Sequence, residues 1–108
     1  MIYGSDWPAA APDADPWTGL AGMVTRTDPT GVHPGSVGAD QAIPLDRALP
    51  VFTSAGARSL RLEQVTGSLK AGLSADFIVL EQPVEKLSTP ELGRARPLQT
   101  WFEGRQVF

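Results

Sequence analysis

The sequence predicts an α+β chain, and three observations carry that reading. The clearest helical apolar stripe lies at residues 45–60, β-type runs follow it over 75–80 and 98–108, and the stretch before it is punctuated by proline and glycine. The length of 108 residues suits one small domain or a piece of a larger one. A hydrophobic content of 42% argues against wholesale disorder. Ten prolines and eleven glycines predict that much of the backbone is irregular.

In chain order, Met1-Ile2-Tyr3 reads as a short strand that Gly4-Ser5-Asp6-Trp7-Pro8 stops, delivering a polar loop. Pro12, Asp13, Asp15 and Pro16 make a surface loop. Thr18 to Thr27 is the next predicted helix, with Thr18 as N-cap and Leu20, Met23 and Val24 at i, i+3 and i+4. Asp28-Pro29 ends it, because a residue before proline avoids the α region. Residues 28–42 form a long Pro/Gly loop. Over Leu45 to Leu60, Leu45, Ala48, Leu49, Phe52 and Gly56 line one helical face. Pro44 fits the first turn, whereas Pro50 removes a ladder bond and predicts a kink or a later start. Beyond it, Leu60-Arg61-Leu62 is a brief strand, Lys70-Ala71-Gly72 a turn, and Ala75 to Leu80 a strong strand. Pro83 to Pro97 is a charged linker with at most one helical turn. Leu98 to Phe102 and Gln106 to Phe108 flank Glu103-Gly104-Arg105 as a hairpin.

Composition excludes several functions. Twelve acidic against nine basic residues give a formal charge of −3, with no Lys/Arg cluster for nucleic acid. The absence of cysteine removes disulfides, thiolate metal sites and a Cys nucleophile. No apolar run approaches a membrane span, and Met1 to Asp6 lacks the basic region of a signal peptide. No nucleic acid or membrane partner is therefore expected, and cytoplasm is the default location.

The order of segments is more informative than any one of them. Gly4-Ser5-Asp6-Trp7-Pro8 closes a strand, and the helix with Leu45-Asp46-Arg47-Ala48-Leu49 follows. Then come Glu63, Gly67-Ser68-Leu69, Gly72 and Ala75-Asp76-Phe77-Ile78-Val79-Leu80, and last Thr100-Trp101, Gly104-Arg105 and Val107. This succession resembles the C-terminal end of the amidohydrolase superfamily, in the branch of N-substituted formamide deformylases. The resemblance runs from Gly4 to Val107.

It implies the last strand and helix of a (β/α)8 metallohydrolase barrel (residues 1–60) plus strands of the attached β-sandwich (61–108). Residues 2–6 would be the eighth barrel strand, placing Asp6 at the strand end where such barrels keep their active sites. By resemblance Asp6 is catalytic, a metal ligand or the base for a metal-bound water attacking an amide-type carbonyl, and Trp7 lines the substrate pocket. The implied cofactor is a divalent metal, zinc first, in the full-length enzyme, with none expected on this chain alone. The implied substrate is a small amide, formamide or cyclic amide. The family's His-x-His pair, bridging lysine and later histidines would all precede Met1. Position 73 is Leu where the family has lysine.

Read as residues alone, Asp6 is first a capping or turn aspartate after a strand, and only the resemblance makes it catalytic. His33, the single histidine, sits in a Pro/Gly loop and reads as solvated. Asp13, Asp15 and Asp28 lack the glycine and distal glutamate of an EF-hand loop. Ser5 and Thr53 have no histidine placed to activate them. Gly31, Gly35 and Gly38 make a poor phosphate cradle. Asp76 is expected to fix a turn, and Trp101, Phe102 and Phe108 to be sandwich core, sticky if exposed. A non-catalytic alternative follows from that last point, a self-associating α+β unit or interaction module that forms a homo-oligomer through its exposed core face.

Overall fold

The computed structural model describes residues 1–9 and 13–108, so Pro12 of the predicted loop lies outside the described residues. Helix α1 (Pro16–Thr25) starts earlier than predicted, because Asp15 rather than Thr18 is its cap. The Asp15 carboxylate accepts from the Trp17 N–H at 2.9 Å, and Pro16 occupies the first turn, where a missing N–H costs no ladder bond. The helix ends at Arg26 in the left-handed region, φ 57°, whose N–H closes onto Gly22. Leu20 and Ala21 are its buried residues.

The 28–42 loop is better ordered than its composition suggests. Asp28 accepts from the N–H and hydroxyl of Thr30 and from the His33 N–H. Thr27 bridges Ser36, and a 3-10 turn spans Ala39–Gln41.

The predicted helix over 45–60 is cut into three. Helix α2 (Leu45–Ala48) runs into a 3-10 turn (Leu49–Phe52), and α3 (Ser54–Ser59) follows. Pro50 cannot donate to the ladder and crowds the turn before it. Thr53, at φ −131° and ψ −99°, takes the direction change, its hydroxyl donating to the Leu49 carbonyl at 3.1 Å. The expected kink is therefore a full break. Ala48, Val51 and Ala57 are buried, and Leu45, Leu49 and Phe52 pack against the cluster that holds Ala48.

Leu60 to Leu62 is a turn and no strand, since the Leu62 N–H closes back onto the Ala57 carbonyl. The Lys70–Gly72 turn is present, closed by the Leu73 N–H on the Lys70 carbonyl. Strands β1 (Phe77–Val79), β2 (Gln99–Phe102) and β3 (Arg105–Gln106) form an antiparallel sheet in that order. Phe77 pairs with Trp101 and stacks on it, ring centroids 5.5 Å apart. The β2–β3 connection is Glu103-Gly104, both at positive φ (50° and 73°). That is the two-residue I′ geometry, which matches strand twist.

The 83–97 stretch is more than a linker. A 3-10 turn (Val84–Lys86) precedes α4 (Thr89–Leu92), which Ser88 and Glu91 close as a reciprocal capping box. Leu92 is buried against Leu20, Ala21 and Ala48, the centre of the core. Met1 to Tyr3, predicted as a strand from the residues, and 2–6, the strand the resemblance implies, are irregular. A strand is held by the ladder of a neighbour, and among the described residues none lies beside them. The predicted core residues Phe102 and Phe108 are 54% and 70% exposed, because nothing packs on that side of a single three-stranded layer. Trp101 is half-buried on Phe77.

Candidate functional site

The N-terminal segment is anchored through Tyr3. Its ring tilts against Phe52, centroids 4.4 Å apart, and fills the space a side chain at position 19 would need. A side chain at position 19 would have to displace the Tyr3 ring. Burial first, and then the carboxylates of Asp13 and Asp15, push the Tyr3 phenol upward.

Beyond Tyr3 the chain turns sharply. The Trp7 N–H donates to the Ser5 hydroxyl oxygen at 3.2 Å, and the Ala9 N–H to the Asp6 carbonyl at 2.8 Å. Asp6 stands in the left-handed region, φ 52°, and the Trp7–Pro8 peptide is cis. Aspartate tolerates that backbone better than most residues. The turn presents the Asp6 carboxylate to solvent, with the Trp7 indole 57% exposed beside it.

The other predicted candidates are spent on structure. Asp13 accepts from the Asp15 N–H, and Asp15 caps α1 and pairs with Arg96 at 2.8 Å. Asp28 is held down at about 2, chiefly by the Thr30 hydroxyl and then by the N–H groups of His33 and Thr30. Asp76 links three segments by accepting from Glu103 N–H (2.8 Å), Thr66 hydroxyl (2.6 Å) and Ser74 hydroxyl (2.9 Å). Those bonds, the Glu103 one foremost, lower its pKa. Asp76 fixes a turn as predicted, and it also joins the 66–74 loop to the β2–β3 turn.

A half-open cleft of about 580 Å³ separates α1 and the 3-10 turn from the sheet. Trp17, Phe52, Phe77 and Trp101 line it, with the Asp15–Arg96 pair at its rim. Asp6 and Trp7 are outside it. Sequence reasoning did not single out this cleft, whose walls come from segments about 80 residues apart (Trp17 and Trp101). Arg96 facing Asp15 is likewise a long-range pairing without a local signal.

The model for the family described as amidohydrolase matches residues 1–108. The chain belongs to the amidohydrolase family. No curated protein and no solved structure matches it. Membership brings the metal-dependent hydrolase chemistry typical of the family within scope, and it can be tested against the residues of this amidohydrolase chain. Among the described residues no three His, Asp or Glu side chains converge on a point where a metal could sit. A catalytic zinc ordinarily takes three protein ligands. Asp6 supplies one carboxylate, so the residues present do not make up a metal site. No helix among the described residues is long and apolar enough to cross a membrane.

Proposed function

We propose that this chain is the C-terminal portion of a metal-dependent amidohydrolase that hydrolyses a C–N bond in an amide, formamide or cyclic amide. Asp6 is the one residue the chain gives to the active centre, as metal ligand or base, and Trp7 borders the substrate. Residues 1–60 belong with the end of the (β/α)8 barrel and 61–108 with the attached β-sandwich. The metal is divalent, with zinc the expected ion, and its remaining ligands lie outside this chain.

The observation that carries this reading is the family match over all 108 residues. The geometry supports it at Asp6: the turn projects a carboxylate outward, with its own backbone carbonyl satisfied by Ala9. An aspartate whose job was only to close the turn would turn its carboxylate onto a nearby N–H, as Asp28 does onto Thr30 and His33. The isolated chain is expected to be inactive, since a barrel of this type takes about 250 residues.

The test starts with the DNA upstream of the Met1 codon. A long open frame carrying a His-x-His motif identifies the parent enzyme, in which Asp6→Asn should cost at least about 100-fold in kcat at little change in fold, the scale on which acid–base groups act. Parent activity undiminished by Asp6→Asn refutes the role of Asp6. Metal-dependent amidase activity of the 108-residue chain alone, lost in Asp6→Asn, refutes the reading of a partial site.

A further inference from the structure

We infer that Ser5 is a positioning residue for Asp6, a role that rests on the catalytic reading of Asp6 given above. Asp6 stands at φ 52°. Residues other than glycine stay in that region only where neighbouring bonds hold them there. Two bonds do so. The Trp7 N–H donates to the Ser5 hydroxyl oxygen at 3.2 Å, which ties together the residues on either side of Asp6. The Ala9 N–H donates to the Asp6 carbonyl at 2.8 Å. The second bond is main chain to main chain and needs no particular side chain. The first exists only because position 5 carries a hydroxyl on its β-carbon.

The sequence divides two tasks that an aspartate in a turn ordinarily combines. Asp13, Asp15 and Asp28 each accept from the N–H two residues on, at 3.0, 2.9 and 2.9 Å. That is the common local use of an aspartate. Two residues after Asp6 stands Pro8, which has no N–H to give. The Asp6 side chain is thus denied its usual local donor, and the residue stays exposed. The brace moves one position back: Ser5 takes the Trp7 N–H, and Asp6 keeps its carboxylate oxygens for the active centre.

The Tyr3 anchor does not replace this brace. Gly4 lies between the two, and beyond its chain neighbours no described atom stands within 4 Å of where its side chain would be. A glycine in open space lets the chain pivot. The Tyr3 ring on Phe52 therefore sets where the segment starts, and Ser5 sets which way Asp6 points. Ser5 is accordingly half-buried, while Gly4, Asp6 and Trp7 around it are exposed.

In the parent enzyme Ser5→Ala should lower kcat at least about tenfold with KM little changed, since about 1 Å of misplacement can cost about 100-fold. Ser5→Thr, which keeps the β-hydroxyl, should restore most of that loss. In an Asp6→Asn background Ser5→Ala should cost nothing further in kcat, because both substitutions act through one carboxylate. An unchanged far-ultraviolet spectrum shows that the fold is kept. Should Ser5→Ala misfold, Ser5→Cys decides, since it keeps the shape with only a weak acceptor and should lose kcat in the same way. In the 108-residue chain itself, the Trp7 amide should exchange markedly faster in Ser5→Ala and at the wild-type rate in Ser5→Thr. Undiminished kcat in Ser5→Ala or Ser5→Cys, no rescue by Ser5→Thr, an equal further loss in the Asp6→Asn background, or a Trp7 amide indifferent to Ser5→Ala each overturns the role of Ser5 and leaves that of Asp6 standing. Full activity of the Asp6→Asn parent overturns both.

Discussion

Replacing Leu92 with alanine tests whether the 83–97 stretch is part of the core or a strap laid over it. Leu92 is 4% exposed and sits in the cluster with Leu20, Ala21 and Ala48, at the crossing of α4 on α1. Truncation removes three buried carbons, about 2.4 kcal/mol at roughly 0.8 kcal/mol each. The cavity left behind adds to this, and Leu→Ala in cores spans about 2–5 kcal/mol. The neighbours Val84 and Leu87 are only half-buried and can shift inward, so about 3 kcal/mol is the working value. For a chain near 100 residues each kcal/mol moves Tm by about 4–8 °C, giving a fall of at least about 12 °C. Thermal unfolding followed by circular dichroism reads it, with wild type and variant at the same protein concentration. A fall under about 4 °C means that Leu92 does not pack on α1 and that the stretch is a linker after all.

Three further outcomes follow from the carboxylates and the hairpin. Asp28 has a folded-state pKa of about 2 against an ordinary 3.8, so its bonds stabilise the 28–33 turn above the ordinary value and are lost as pH falls through about 2. A carbon-detected NMR titration should place its midpoint there, and a midpoint near 3.8 would falsify the Thr30 and His33 contacts. Asp76→Ala strips three donors of one acceptor, so the Glu103 amide should exchange with solvent markedly faster while the amides of α1 are unchanged. Equal protection of Glu103 in both proteins contradicts the linkage. Gly104→Val forces a β-branched residue to φ 73° and should destabilise the β2–β3 hairpin by at least about 1 kcal/mol, seen as a lowered urea midpoint. An unaltered midpoint would mean that the turn is not I′.

What could be read in advance was local chemistry. Glu103-Gly104 announces its own turn, because the left-handed backbone it needs is a property of two residues. Pro50 likewise carries its effect in its ring, and the helix over 45–60 broke where the missing N–H required. The start of α1 was misplaced because Thr18 and Asp15 are both good caps, and only the bond to Trp17 distinguishes them. The Ser88-x-x-Glu91 capping box was present in the sequence and could have shown α4. Leu92 could not be found that way, since Val84, Leu87 and Leu92 are too sparse in a charged, proline-broken stretch for a period to betray its burial. The Arg96–Asp15 pair and the cleft behind it are products of topology, which no local pattern encodes.

Residues 1–6 and β1 present the same physical problem from two sides. Met1 to Tyr3 has a strand's composition, yet its anchor among the described residues is the Tyr3 ring between Phe52 and Gly19. Phe77 to Val79 becomes a strand because β2 lies beside it, and its other edge is left open. Apolar sequence without a neighbour yields exposure, here Met1 at 81% and Ile2 at 52%. The Tyr3 anchor and the turn at Ser5 to Ala9 are formed by this chain alone, so the backbone that carries Asp6 is shaped before any partner arrives. A separate polypeptide bearing the missing ligands would then need to cover Met1 and Ile2 without rebuilding the Asp6 turn. Mixing the two pieces of a parent enzyme split before Met1 should therefore restore activity, and should fail when Tyr3→Ala releases the anchor. Restoration that is indifferent to Tyr3→Ala would show that the partner, and not this chain, sets the position of Asp6.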